Sequence, residues 1–292
     1  MLRNLSSSGT VSFAAKVDMS LASNAGKICL GDFNRDGHLD IGGANTNGNF
    51  LLTNTGRIGN ISFALSTSPV FYVPTDFATV AGYDINSDGY TDLLTGRSTS
   101  TSVIRRNGTS SGLDFVSRDS VTITQPARDL SLADVDGDGN LDLITSNATS
   151  NTISVYRNTG SFSLASPVTI GTATMGSAVF GNLSIADYNG DGKPDIALTC
   201  TGANTVAVFR NTSTSGTISF VSPVNFATGN NPCGPSSGDL DGDGKPELVI
   251  ANSLDNTISI IRNSPVLPIS GGGTIRCPRK MTAPVSGGTW NS

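Results

Sequence analysis

Five stretches of this chain alternate acidic or amide side chains in a way that suits one chemistry, the coordination of a hard cation by oxygen. The pattern D-x-[DN]-x-D-G-x-x-[DE] starts at Asp32, Asp84, Asp134, Asp187 and Asp239, with spacings of 52, 50, 53 and 52 residues. Ca²⁺ takes six to eight oxygens in irregular geometry, and a tight acidic turn supplies them. In the first copy the candidate ligands are Asp32, Asn34 and Asp36, the backbone carbonyl of His38, and Asp40 closing the sphere with both oxygens. Gly37 allows the sharp bend between them, since it has no Cβ. The second copy offers Asp84, Asn86, Asp88, the carbonyl of Tyr90 and Asp92, and the third Asp134, Asp136, Asp138, the carbonyl of Asn140 and Asp142. The fourth offers Asp187, Asn189, Asp191, the carbonyl of Lys193 and Asp195, and the fifth Asp239, Asp241, Asp243, the carbonyl of Lys245 and Glu247. The expectation is about five Ca²⁺, one per repeat.

Two other readings of these loops fare worse. An EF-hand closes with a bidentate Glu at position 12; that position here holds Gly43, Thr95, Thr145, Leu198 and Ile250. The closing acid falls at position 9 in every copy, and the flanks read as strands. Metal-free hairpin turns also favour Asp-Gly, but they do not require acids at the same offsets five times. The loops hold 17 of the 23 acidic residues; the other six are Asp18, Asp76, Asp114, Asp119, Asp129 and Asp255. Carboxylates that close repel one another without counter-ions. Five Ca²⁺ would move the formal charge from −5 to about +5, so the low pI does not argue for a basic partner.

The elements that position the loops are short strands. In the fourth repeat, Leu183–Ala186 enters the loop and 195–198 leaves it; 205–211 alternates apolar and polar residues, and 218–221 follows a Ser/Thr/Gly turn. Short β-rich runs bounded by Gly, Asn, Asp and Pro read as strands, and no window shows a capped 3.6-residue apolar stripe. Four strands in about 50 residues, repeated, predict an all-β fold with almost no helix, a β-propeller of four-stranded blades. Phe63, Phe115, Phe162 and Phe220 are expected in the fourth strands as inter-blade core, with Phe13 their N-terminal counterpart.

The chain starts out of phase. Residues 3–13 match 210–220 almost residue for residue, while the last repeat stops at Asn263 before a fourth strand. Pairing the N-terminal strand with the last blade closes a ring of five blades and removes exposed edges. A piece of a longer six- or seven-bladed array is the alternative. The predicted organisation is a propeller over 1–263 and a Gly/Pro/Ser-rich tail or linker over 264–292.

These loops and repeats resemble the FG-GAP/VCBS repeat family, the calcium-loop β-propellers that include integrin α-subunit heads. Segment 240–252, LDGDGKPELVIAN, is typical of the bacterial versions, and the resemblance spans residues 3–263. It implies structural calcium and an extracellular binding or adhesion role. Glu247 departs from the usual closing Asp by one methylene, which puts the shape and strength of the fifth site in question.

Charged residues make up only 14% of the chain, a composition that suits a secreted or cell-surface protein. No apolar run is long enough for a membrane span, and no signal-peptide segment follows Met1. The basic cluster Arg276, Arg279 and Lys280 is too small for nucleic-acid binding. Cys29 is expected as a small buried filler, and Cys200 and Cys233 lie on the same rim, where a disulfide is an open expectation. Catalysis has little to work with: His38 is the single histidine and most acids sit in the loops. The expected role is a binding or adhesion module; a lectin-like or polysaccharide-enzyme accessory module is the alternative, and a lyase a third. The partner, an extracellular glycan or protein, would meet the rim opposite the calcium loops. The segments there are 45–47, 97–99, 147–149, 201–204 and 252–256, with Asp76, Arg128, Asn230 and Asn231 between blades.

Overall fold

The computed structural model describes residues 18–21, 25–45, 48–57, 60–65, 78–87, 89–97, 102–106, 118–147, 150–171 and 181–263. All regular structure among them is β, with no helix. The expected N-terminal strand at 3–13, Phe13, Phe115, Asp76, Asp88 and the 264–292 tail lie outside the described residues. The chain divides into two compact units, 1–123 and 124–292.

The first unit carries two antiparallel sheets in chain order. One holds β1 (Ala25–Gly31), β2 (Asp40–Asn45), β3 (Gly48–Asn54) and β4 (Phe63–Leu65); the other holds β5 (Ala78–Tyr83), β6 (Asp92–Arg97), β7 (Ser102–Arg106) and β8 (Arg118–Thr122). Phe33, Ala44, Leu51, Val80 and Leu93 form a buried cluster between these sheets, with half-buried Cys29 packed against it.

The second unit carries three sheets. β9 (Ala127–Ala133), β10 (Asp142–Asn147), β11 (Thr152–Tyr156) and β12 (Val168–Gly171) form one; β13 (Leu183–Ala186), β14 (Asp195–Cys200), β15 (Thr205–Phe209) and β16 (Val224–Ala227) form the next. The last, β17 (Pro232–Gly238), β18 (Glu247–Asn252) and β19 (Thr257–Ile261), has three strands among the described residues. Strand alternation makes the core. On β14, Ile196, Leu198 and Cys200 face Ile144, Ile153 and Val155 of the preceding sheet. Ala197 turns the other way and packs with Val206, Val208, Leu248 and Ile250 toward the following one. A middle blade is therefore apolar on both faces, and its central strand is buried throughout.

The fourth strands follow the sequence expectation at Phe63 and differ from it at Phe162 and Phe220. Phe63 begins β4, opposite Asn54, and packs on Ile41, Phe50 and Leu52. Phe220 makes only the equivalent isolated bridge to Asn211, and continuous pairing starts at Val224 instead of 218–221. Phe162 is not in a strand; it sits in a turn with φ 60°, and Leu164 takes the bridge to Asn158. The cause is length: six residues separate Asn158 from its bridge partner, against nine for Asn54 and Asn211. Phe220 still packs against the cluster between the first two sheets of this unit.

The Cys200–Cys233 disulfide is not formed; both cysteines are free. Cys200 points to the face of β14 that meets the preceding sheet, whereas Cys233 lies on β17 of the following sheet. Alternation along β14 thus turns Cys200 away from the sheet that carries Cys233.

Candidate metal centre

Each acidic loop joins the first and second strands of a blade. Its shape is set by side chains that hold their own backbone. The position-1 aspartate accepts from the N–H of the position-6 glycine in all five loops: Gly37 to Asp32 at 2.9 Å, Gly89 to Asp84 at 2.8 Å, Gly139 to Asp134 at 2.9 Å, Gly192 to Asp187 at 2.7 Å and Gly244 to Asp239 at 2.9 Å. These glycines have φ between 84° and 89°, a region that costs an L side chain steric strain. Position 4 is left-handed too, at Gly137, Gly190 and Gly242, and also at Arg35 and Ser87.

Positions 3 and 5 continue the pattern. Asn34, Asp136 and Asn189 accept from the backbone of Asp36, Asp138 and Asp191 at 3.1, 3.1 and 2.8 Å. Asp36, Asp138, Asp191 and Asp243 accept from the position-7 N–H of His38, Asn140, Lys193 and Lys245 at 2.8 to 3.0 Å. Lys193 sends its ammonium away from the loop, to the Ser213 carbonyl at 2.6 Å.

The closing acid is the buried member. Asp40, Asp92, Asp142 and Asp195 are fully buried and Glu247 nearly so. One oxygen of each accepts from the position-2 N–H: Phe33, Ile85, Val135, Tyr188 and Leu240. In four loops the other oxygen accepts from an asparagine that follows the third strand or ends it: Asn54 at 2.8 Å, Asn158 at 2.9 Å, Asn211 at 2.7 Å and Asn263 at 3.2 Å. Glu247 reaches the same two partners as its aspartate counterparts, so its extra methylene is absorbed without changing the loop. Each oxygen keeps a second lone pair for a cation.

These asparagines are the functional residues that sequence reading misses. The signal was present, since Arg-Asn recurs at 3–4, 106–107, 157–158, 210–211 and 262–263. Each side-chain oxygen of Asn54, Asn158 and Asn211 accepts from the N–H two residues on, an Asx turn. The preceding arginine matters as well. Arg157 bonds Asp136 and Asp138, and Arg262 bonds Asp241 at 2.6 Å. In the first unit the Arg35 guanidinium lies 5.0 Å from the centroid of Tyr90, linking the first two loops.

The donor set fits a hard cation. Carboxylate oxygens of Asp134, Asp136 and Asp142 lie within 4.8 Å of one another, and so do those of Asp239, Asp241 and Glu247. Burial pushes Asp142 and Asp195 up to about 6, and nearby loop carboxylates push the same way. Burial also raises Asp40, with Asp36 and Asp32 adding to the shift. Concentrated anionic oxygen with no nitrogen or sulfur donor is the environment that Ca²⁺ prefers.

The opposite rim has a different character. Between the last two sheets, Asn204 bonds Asn230 at 3.0 Å, and Asn230 bonds Asp255 through its side chain and backbone at 2.7 Å each. Asn231 bonds Ser253, and its N–H donates to Asn204 at 3.0 Å. These amides serve one another and the turns. A recess on the same rim, lined by Arg128, Ser146, Asn147, Asn151, Thr152, Gly181 and Leu198, holds ≈ 10 Å³, room for one water.

Comparison with solved structures shows the fold. An Agrocybe aegerita lectin with specific recognition of non-reducing terminal N-acetylglucosamine is similar with a TM-score of 0.55 at 17% identity, over 84% of this chain and 64% of the lectin. BBS1N, solved in complex with ARL6DN, is similar with a TM-score of 0.53 at 11% identity, over 86% of this chain and 70% of that one. A candidate 6-phosphogluconolactonase from Bacteroides fragilis gives 0.53 at 18% identity, over 79% of this chain and 65% of the other. The chain therefore spans slightly under two thirds of the lectin. No curated protein matches it. The model of the FG-GAP-like repeat matches four times, over 32–95, 84–145, 134–198 and 187–250, so that each match runs from one acidic loop through the next. With blades of antiparallel strands and an acidic loop between the first two strands of each, the chain belongs to the FG-GAP-like repeat family of β-propellers.

Proposed function

We propose that this protein is a calcium-stabilised binding module that works outside the cell, with Ca²⁺ held structurally in each blade. The observation that carries the reading is the closing acid. The closing carboxylate is buried in every loop and, among the described residues, Asp40, Asp142, Asp195 and Glu247 are each placed by two backbone N–H groups, yet it stands among further carboxylates. Burying like charges so closely is costly unless a cation joins them. In this reading Asp32, Asn34, Asp36 and Asp40 hold the first ion, and the corresponding residues hold the others. The ions cross-link each inner hairpin and stabilise the fold by binding the native state preferentially.

The module is non-catalytic in this reading, with its carboxylates committed to the loops and a single histidine, His38, beside one of them. Its partner is a glycan or a protein met at the rim away from the loops. The fold likeness to a lectin makes glycans the first class to test. Among the described residues no helix is long and apolar enough to cross a membrane.

Calorimetric titration of the metal-stripped protein with Ca²⁺, followed by a glycan array with Ca²⁺ and with chelator, tests both parts. Binding of several ions with a rise in melting temperature supports the calcium reading; no heat and no thermal shift sinks it. A calcium-dependent glycan signal selects the lectin-like role, and a blank array with calcium binding intact selects a protein partner.

A further inference from the structure

The third, fourth and fifth loops are joined through two asparagine side chains. Asn211, just after β15, donates its backbone N–H to Asp195 at 2.7 Å and its amide to the Pro194 carbonyl at 3.0 Å, both in its own loop. The same amide nitrogen donates to the Val135 carbonyl at 2.8 Å, in the loop of the preceding blade. Asn263 repeats the arrangement one blade on, with Glu247 at 3.2 Å, the Pro246 carbonyl at 3.3 Å and the Tyr188 carbonyl of the preceding loop at 2.6 Å.

Val135 and Tyr188 hold position 2 of their loops, and their N–H groups donate to the closing acids Asp142 and Asp195. A continuous series of bonds therefore runs from Asp142 through Val135 and Asn211 to Asp195, and on through Tyr188 and Asn263 to Glu247. The primary amide supplies two hydrogens, one for each of the two carbonyls it faces. Asn211 is 1% exposed, so its bonds to Asp195 and Val135 are shielded from water, while those of Asn263 are half-buried.

We propose that Asn211 and Asn263 are positioning residues that couple neighbouring loops, so that a cation in one raises the affinity of the next. The proposal rests on the calcium reading above. An ion that fixes Asp134, Asp136 and Asp142 also fixes the Val135 peptide between them. That peptide holds the Asn211 amide, and the Asn211 backbone holds Asp195. The coupling acts equally in both directions.

Each loop contains one reporter, the position-6 glycine whose N–H meets the position-1 aspartate. Calcium titration of protein labelled with ¹⁵N at glycine follows Gly139, Gly192 and Gly244 separately. Asp134→Asn disables the third loop; the expected result is about a fivefold or larger loss of calcium affinity at Gly192. In an Asn211→Ala background the same change should leave Gly192 within about twofold, because the link is already cut. A purely structural asparagine would lower affinity without altering this coupling. An unchanged Gly192 titration on Asp134→Asn in the otherwise native chain overturns the proposal, and so does an equal loss with and without Asn211. Should Asn211→Ala fail to fold, Asn263→Ala with Asp187→Asn, read at Gly244, puts the same question to the second link. If no loop glycine moves with calcium, the calcium reading falls and the coupling with it; if the glycines move independently, only the coupling falls.

Discussion

Arg157 Nε donates to Asp136 Oδ2 at 2.7 Å, from a partly exposed guanidinium to a carboxylate group with no solvent exposure. A second guanidinium nitrogen reaches Asp138 at 2.8 Å. Arg157 thus sets a positive charge against a loop that also contains Asp134 and Asp142. The two carboxylates in turn hold it firmly protonated, chiefly through these hydrogen bonds. With a divalent ion in the loop the arginine has less charge to neutralise. Arg157→Gln should therefore lower the melting temperature of chelated protein by more than it lowers that of protein in millimolar Ca²⁺. Equal losses in the two conditions would mean that arginine and cation do not serve the same carboxylates.

Asp142 accepts N–H groups from Val135 and Asn158, each at 2.9 Å. Asp142→Asn turns one of those acceptors into a donor and leaves a buried N–H facing another, at a cost of about 1–3 kcal/mol. It also removes a buried negative charge, which offsets that cost where no cation is present. The substitution should be nearly neutral in chelator and strongly destabilising in Ca²⁺, read from urea midpoints in each. A large loss in chelator would show that hydrogen bonding alone fixes the closing acid.

Ile144 provides a contrast that calcium should not touch. It is fully buried between two blades, among Ile153, Val155, Ile196 and Leu198. Ile144→Ala should cost about 2–5 kcal/mol through lost contact and cavity. The loss should be similar with and without Ca²⁺, since the side chain packs on apolar neighbours and not on the loop. A loss that vanishes in Ca²⁺ would tie this core to the ions.

Much of this was legible because it is local. A loop in which Asp32 bonds residues 36 and 37 is encoded within six positions, and five copies make the code plain. The blades followed from the repeat length and from alternation along segments such as 195–200. What escaped depends on distance or on small changes in length. Asn211 reads as an ordinary turn residue until its partner Val135, 76 positions away, is brought beside it. Phe162 falls outside the fourth strand because its connection is three residues shorter than its counterparts, which shifts the register and leaves Leu164 in its place. The ligand is hardest to read. Rim asparagines such as Asn204 and Asn230 are spent on one another, so their type carries no sign of a partner.

Cys200 and Cys233 offer a direct chemical check on strand facing. Burial raises the Cys200 thiol above its ordinary range, and the side chain is 1% exposed. A buried thiol is a poor nucleophile because little thiolate forms. Alkylation of native protein without reductant should modify Cys233 before Cys200, and Cys200 should react only on unfolding. Peptide mapping that recovered a Cys200–Cys233 crosslink from native protein would overturn the assignment of Cys200 to the face of β14 that meets the preceding sheet.

The pH dependence should change sign with calcium. In the metal-free protein, burial lifts Asp142 and Asp195 from an ordinary 3.8 to about 6, with neighbouring loop carboxylates adding to the shift. A carboxyl whose folded value exceeds its unfolded value binds more protons folded than unfolded between the two. Its contribution to stability is complete below about 4 and is lost as pH rises through about 6. Metal-free protein should therefore melt at a higher temperature at pH 5 than at pH 7. Calcium-loaded protein should do the reverse, because protons displace the ion from the same oxygens and its stabilisation fades below about pH 6. Metal removed by desalting, not by a chelator whose own affinity varies with pH, keeps the comparison clean. Parallel curves with and without Ca²⁺ would show that the buried closing acids are not where proton and cation compete.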